Sequence, residues 1–117
     1  MKYNLFSNLS NKRILDASFG LEREGLRVTN TGAFSLTPHP EVFGDKKENP
    51  YITTDFSECQ LELITPVFHT ANDAIDFLDS LYNIAALELE DEYIWPQSMP
   101  AAVPENQDIP IAIFSNQ

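Results

Sequence analysis

The strongest pattern in the chain lies between residues 71 and 90. Ala74, Ile75, Leu78, Leu81, Tyr82, Ala85 and Leu89 recur at helical spacing, with Asp73, Asp76, Asp79, Asn83 and Glu90 elsewhere. Thr70-Ala71-Asn72-Asp73 has the form of a capping box with Asp in the usual Glu position. Two acids near the start suit the positive end of the helix dipole. Together these predict a helix over residues 71–90. Upstream, residues 59–65 (CQLELIT) alternate and then turn apolar before Pro66, which predicts a strand. Residues 19–29 (FGLEREGLRVT) predict another, with Gly25 marking a bulge or a close backbone approach. Asn30-Thr31-Gly32 signals a turn, and residues 33–36 read as the returning strand of a hairpin. Residues 37–52 hold three prolines and a glycine and predict a loop with one short helical turn. Residues 3–17 fit a short helix. From Tyr93 onward four prolines exclude regular helix, and the apolar run 109–114 has no evident partner or cap.

Composition narrows the class. At 117 residues with 43% hydrophobic positions the chain can build one core, which argues against global disorder. The net charge of −11 argues against nucleic acid and against anionic membrane surfaces as partners, since both need clustered Lys and Arg. The distribution says more than the total. All seven bases fall within residues 1–47, whereas residues 48–117 carry thirteen acids and no Lys or Arg. Carboxylates in that second part must face water, a metal, or groups from elsewhere. A single cysteine, Cys59, rules out an internal disulfide; with no signal-peptide pattern and no long apolar run, the expected location is a reducing cytoplasm.

Glu22 and Glu24 stand two apart on the first predicted strand, so they leave the same face with Cα atoms roughly 7 Å apart. Leu26 and Val28 share that face. Glu58, Gln60 and Glu62 share one face of the second predicted strand, with Cys59, Leu61 and Leu63 opposite, and Asp55 stands at the loop-to-strand junction. Carboxylates converging from two strands form a hard-oxygen site suited to Mg²⁺ or Mn²⁺ working with a nucleotide phosphate. Two other readings stay open: a glycosidase-type carboxylate pair, and a solvated face on which Arg23 and Arg27 balance Glu22 and Glu24.

The motifs then decide the expectation. Residues 19–28 (FGLEREGLRV) resemble the opening motif of bacterial glutamate–cysteine ligases. Residues 37–40 (TPHP), 50–58 (PYITTDFSE), 60–66 (QLELITP), 95–100 (WPQSMP) and 108–112 (DIPIA) follow in that family's order. The wording is nearest the type fused to a glutathione synthetase domain. The resemblance implies an α+β fold, part of a glutamine synthetase-like antiparallel sheet (a funnel) with one long covering helix. It implies an ATP-dependent reaction in which L-glutamate is phosphorylated on its γ-carboxylate and the amine of L-cysteine displaces phosphate, the first step of glutathione biosynthesis. It further implies Glu22, Glu24, Asp55 and Glu62 as Mg²⁺ (or Mn²⁺) ligands and Phe56 near the cysteine pocket.

Family members are several times longer, and their later histidine-bearing and arginine-bearing motifs do not occur here. Residues 1–117 are therefore expected to be the N-terminal segment of a ligase catalytic domain, inactive without the remainder of the chain. The alternatives are a non-catalytic module that binds a partner chain or a divalent metal, and a related carboxylate–amine ligase with another amine substrate. Cys59 reads as a buried small hydrophobe, His39 and His69 as structural or exposed, and Glu88, Glu90, Asp91 and Glu92 as a solvated helix end.

Overall fold

The computed structural model describes residues 16–103 and 108–114. Strand β1 (Glu22–Val28) pairs antiparallel with β3 (Gln60–Ile64), which pairs on its other side with β2 (Ile52–Thr54). A two-residue strand, β4 (Tyr93–Ile94), extends β1 on the far side, giving the order β2-β3-β1-β4. Helix α1 (Ala71–Glu88) covers one face. The α+β expectation is met among the described residues; the helix expected over residues 3–17 lies almost wholly outside them.

The two faces of the sheet differ because side chains alternate along each strand. Ile52, Leu61 and Leu63 point toward the helix and pack with Phe43, Leu81, Ala85, Leu89 and Ile94. Arg23 shares that side and lays its guanidinium over the Tyr82 ring at 4.4 Å. Cys59 has no exposed surface, as its apolar neighbours suggested. The opposite face carries Glu22, Glu24, Gln60 and Glu62.

Helix α1 starts where its cap predicts. Thr70 Oγ1 accepts the Asp73 N–H at 3.2 Å, and the Thr70 hydroxyl donates to Asp73 Oδ2 at 2.6 Å. The shorter Asp side chain thus meets the cap hydroxyl rather than the cap backbone, a variation on the full box. The helix ends two residues before the expected limit. Leu89 is its C-cap, and Glu90 adopts φ 51°, the left-handed turn more often given to glycine.

Gly25 marks a close approach, not a bulge, because β1 keeps continuous register through it. A Cβ there would lie 2.6 Å from Ile94 Cγ2, so the bare backbone lets β4 close onto β1. The expected return strand over residues 33–36 is reduced to a single bridge between Val28 and Phe34. The loop after it holds the anticipated helical turn, a 3-10 turn over Glu41–Phe43. Periodicity missed β2, which is too short to alternate visibly. The terminal apolar run does find a partner: Ile111 bridges Ser57, with Pro110 O accepting the Glu58 N–H and the Ala112 N–H donating to Phe56 O. No helix among the described residues is long and apolar enough to cross a membrane.

Candidate metal centre

Register builds the site. Glu24 on β1 faces Glu62 directly across the β1–β3 ladder, so both carboxylates rise from the same sheet face. Asp55 follows the last residue of β2, and its N–H donates to Gln60 O at 3.0 Å, which closes the β2–β3 hairpin. One carboxylate oxygen from each of Glu24, Asp55 and Glu62 lies within 4.8 Å of the others. Gln60 Nε2 holds Glu24 by a 2.7 Å bond to Oε2. Glu22 stands one alternation further along β1, outside this trio but on its face.

The electrostatics mark Glu62 as the strained member. Its carboxyl is held above the ordinary glutamate range, first by burial and then by the negative charges of Glu22, Asp55 and Glu24. The charges of Glu22, Asp55 and Glu24 thus all bear on Glu62, although only Glu24, Asp55 and Glu62 bring oxygens close together. Phe56, beside Asp55, is 72% exposed.

Arg23 and Arg27 do not balance these acids. Arg23 stacks on α1, on the other side of the sheet. Arg27 has no exposed surface and pairs with Glu92, Nη1 to Oε2 at 2.6 Å. It also donates to Ser35 Oγ, Thr37 Oγ1 and the backbone oxygens of Thr37, Pro38 and Glu58. Glu92 in turn accepts from the Ser35 and Thr37 hydroxyls. The expectation of a solvated Glu92 fails for that reason. Burial alone would raise its carboxyl, but the Ser35, Thr37 and Arg27 hydrogen bonds outweigh it and leave the group below the ordinary range.

Glu58 also departs from expectation. It precedes β3 in the hairpin loop and therefore escapes the alternation that would have set it beside Glu62. Its carboxylate pairs with Lys46 instead. Two acids of the cation-free part thus find cationic partners in residues 1–47, while Asp55 and Glu62, among the described residues, approach each other and Glu24. Sequence reasoning missed the fully buried Arg27 and the half-buried Lys46 as partners of these acids. The one available signal was that Arg27 shares an alternation with Arg23 and Gly25, on the side opposite the acids.

Three exposed or half-buried carboxylates converging on one point fit a hard divalent cation. Mg²⁺ takes few protein carboxylates and leaves positions for water and phosphate.

A family model described as glutamate-cysteine ligase matches residues 3–117. The chain belongs to the glutamate–cysteine ligase family. It is 47% identical over 110 residues to the glutathione biosynthesis bifunctional protein GshAB of Desulfotalea psychrophila, an alignment covering 93% of this chain and 14% of that protein. The crystal structure of a bifunctional glutathione synthetase from Pasteurella multocida superposes with a TM-score of 0.80 at 47% identity, over 87% of this chain and 13% of that one. A glutamate–cysteine ligase from Francisella tularensis, solved in complex with AMP, superposes with a TM-score of 0.68 at 42% identity, over 80% of this chain and 19% of that one. The chain spans about one seventh of the length of the first of these ligase-family relatives.

Proposed function

We propose that this chain forms the metal-bearing opening portion of the catalytic domain of an ATP-dependent glutamate–cysteine ligase. In that reading the β2-β3-β1-β4 sheet is part of a larger funnel of the glutamine synthetase kind, completed by the rest of the ligase. The observation that carries the proposal is the register of Glu24 opposite Glu62 with Asp55 at the adjoining hairpin. The complete enzyme joins the γ-carboxylate of L-glutamate to the amine of L-cysteine. ATP gives its γ-phosphoryl group to glutamate, leaving ADP; the cysteine nitrogen then forms the amide as phosphate departs and the amine loses a proton. Bound Mg²⁺ (or Mn²⁺) would neutralise charge on the transferring phosphoryl group, the main demand in such transfers.

This chain's residues hold and orient. Glu24, Asp55 and Glu62 supply the oxygens, Glu22 adds negative field on the same face, and Gln60 fixes Glu24. Phe56 lies beside Asp55, where an apolar ring can border the cysteine side of the site. The AMP complex of the Francisella tularensis relative supports a nucleotide in the assembled site. The binding groups for phosphate and substrate carboxylate come from the remaining chain, so the 117 residues alone do not turn over.

The test is ADP formation by the complete ligase that carries this segment, with glutamate, cysteine, ATP and Mg²⁺. Glu24→Gln and Glu62→Gln should each lower kcat/KM at least about a hundredfold and raise the Mg²⁺ requirement, with the circular dichroism unchanged. Unaltered Mg²⁺ dependence in both variants would remove the ligand assignment. Robust phosphate release by the isolated 117 residues would remove the claim of incompleteness.

A further inference from the structure

Glu58 lies between the metal-site acids Asp55 and Glu62 in sequence, yet every polar group it owns is turned to another task. It is 5% exposed. Its carboxylate accepts from Lys46 Nζ, from the Ile113 N–H at 2.6 Å and from the His39 N–H at 2.9 Å. Its own N–H donates to Pro110 O at 2.8 Å, and its carbonyl accepts Arg27 Nη2 at 2.8 Å. One residue therefore ties the hairpin loop to β1, to the 39–46 loop and to the 110–113 segment.

That loop decides where Asp55 stands. Glu24 and Glu62 come from paired strands, whose ladder fixes them. Asp55 leaves the end of β2 and is held by one bond to the first residue of β3, its N–H donating to Gln60 O. The rest of its loop is held by the Gln60 N–H donating to Ser57 O and the Ala112 N–H donating to Phe56 O. Each of these either lies within the loop pinned at Glu58 or joins it to the segment Glu58 anchors. The Lys46 side chain is itself 10% exposed, so the ion pair is shielded from solvent and directional.

We infer that Glu58 is a positioning residue for the metal site, holding the 55–60 loop so that the Asp55 carboxylate reaches Glu24 and Glu62. The inference deepens the proposed function and rests on Asp55 being a metal ligand. It assigns Glu58 no contact with the ion. Its effect is to pre-organise the one ligand of the trio that stands outside a strand, which lowers the cost of gathering the set around a cation.

The experiment is a Mg²⁺ activation series on the complete ligase at saturating ATP, with glutamate KM measured in parallel. Glu58→Gln keeps the side-chain shape but removes the charge that Lys46 requires. It should raise the Mg²⁺ activation constant about tenfold and leave glutamate KM within about twofold. Lys46→Gln, the milder probe should Glu58→Gln fold poorly, should shift the same constant in the same direction. The double variant should be no worse than Glu58→Gln, because both act on one pair. A variant pair that lowers thermal stability and kcat while leaving the Mg²⁺ constant in place would show a purely structural clamp and overturn the proposal. Asp55→Asn separates the two levels. If it raises the Mg²⁺ constant while the Glu58 and Lys46 variants do not, positioning alone is overturned. If it has no effect, the ligand reading falls and this proposal with it.

Discussion

Replacing Glu92 by glutamine removes one negative charge from beside a guanidinium that has no exposed surface. Five neutral oxygens would remain around Arg27: Ser35 Oγ, Thr37 Oγ1 and the carbonyls of Thr37, Pro38 and Glu58. Removing one partner of a fully buried ion pair costs about 3–5 kcal/mol. Here the Glu92 side chain keeps 17% exposure and the five acceptors stay, which brings the expected cost to about 2–3 kcal/mol. The structure also gives the sign of the pH effect. Glu92 is depressed in the folded state, so its contribution is complete above the unfolded value near 4.3 and is lost as pH falls through the folded value. Backbone hydrogen exchange in the complete ligase is the assay. The Ser35 N–H donates to Arg27 O and the Trp95 N–H to Leu26 O, so both amides report opening around the pair. Their protection should drop about 30- to 150-fold at pH 7, and the gap from wild type should narrow toward pH 3 after correction for intrinsic rates. A change below about threefold at pH 7, or a gap independent of pH, would refute the reasoning.

Other substitutions test the packing that carries the site. Gly25→Ala drives a methyl into Ile94 and should cost about 1–3 kcal/mol, seen as faster exchange at Trp95 and loss of the β1–β4 pairing. Leu61→Ala opens a cavity beneath the acidic face at a residue 1% exposed; about 2–5 kcal/mol in thermal or denaturant unfolding is expected, with Mg²⁺ dependence unchanged in the folded fraction. Thr70→Ala removes the α1 cap and should cost about 1 kcal/mol, read as increased exchange confined to the first turn.

Much of this architecture was legible because its signals are periodic or local. The α1 stripe, the Thr70 cap, and the alternation that sets Glu24 and Glu62 against Leu61 and Leu63 follow from 3.6- and 2-residue repeats. Residues 52–54 and 93–94 are too short to show a repeat, and they become strands through pairing with β3 and β1. Partner choice across long sequence separations was not legible. Nothing near Arg27 in sequence points to Glu92, and nothing near Glu58 points to Lys46 or Ile113, since those contacts depend on loop paths. The charge asymmetry left three options for the acids of residues 48–117, namely water, a metal, or groups from elsewhere, without saying which acid takes which. Glu58 and Glu92 take cations from residues 1–47, whereas Asp55 and Glu62 converge with Glu24 of β1.

That confrontation is the central claim, and Mn²⁺ binding tests it most directly. Electron paramagnetic resonance titration of the complete ligase should show a site whose affinity falls at least about tenfold in each of Glu24→Gln, Asp55→Asn and Glu62→Gln. Mn²⁺ affinity within about twofold of wild type in all three variants would contradict it.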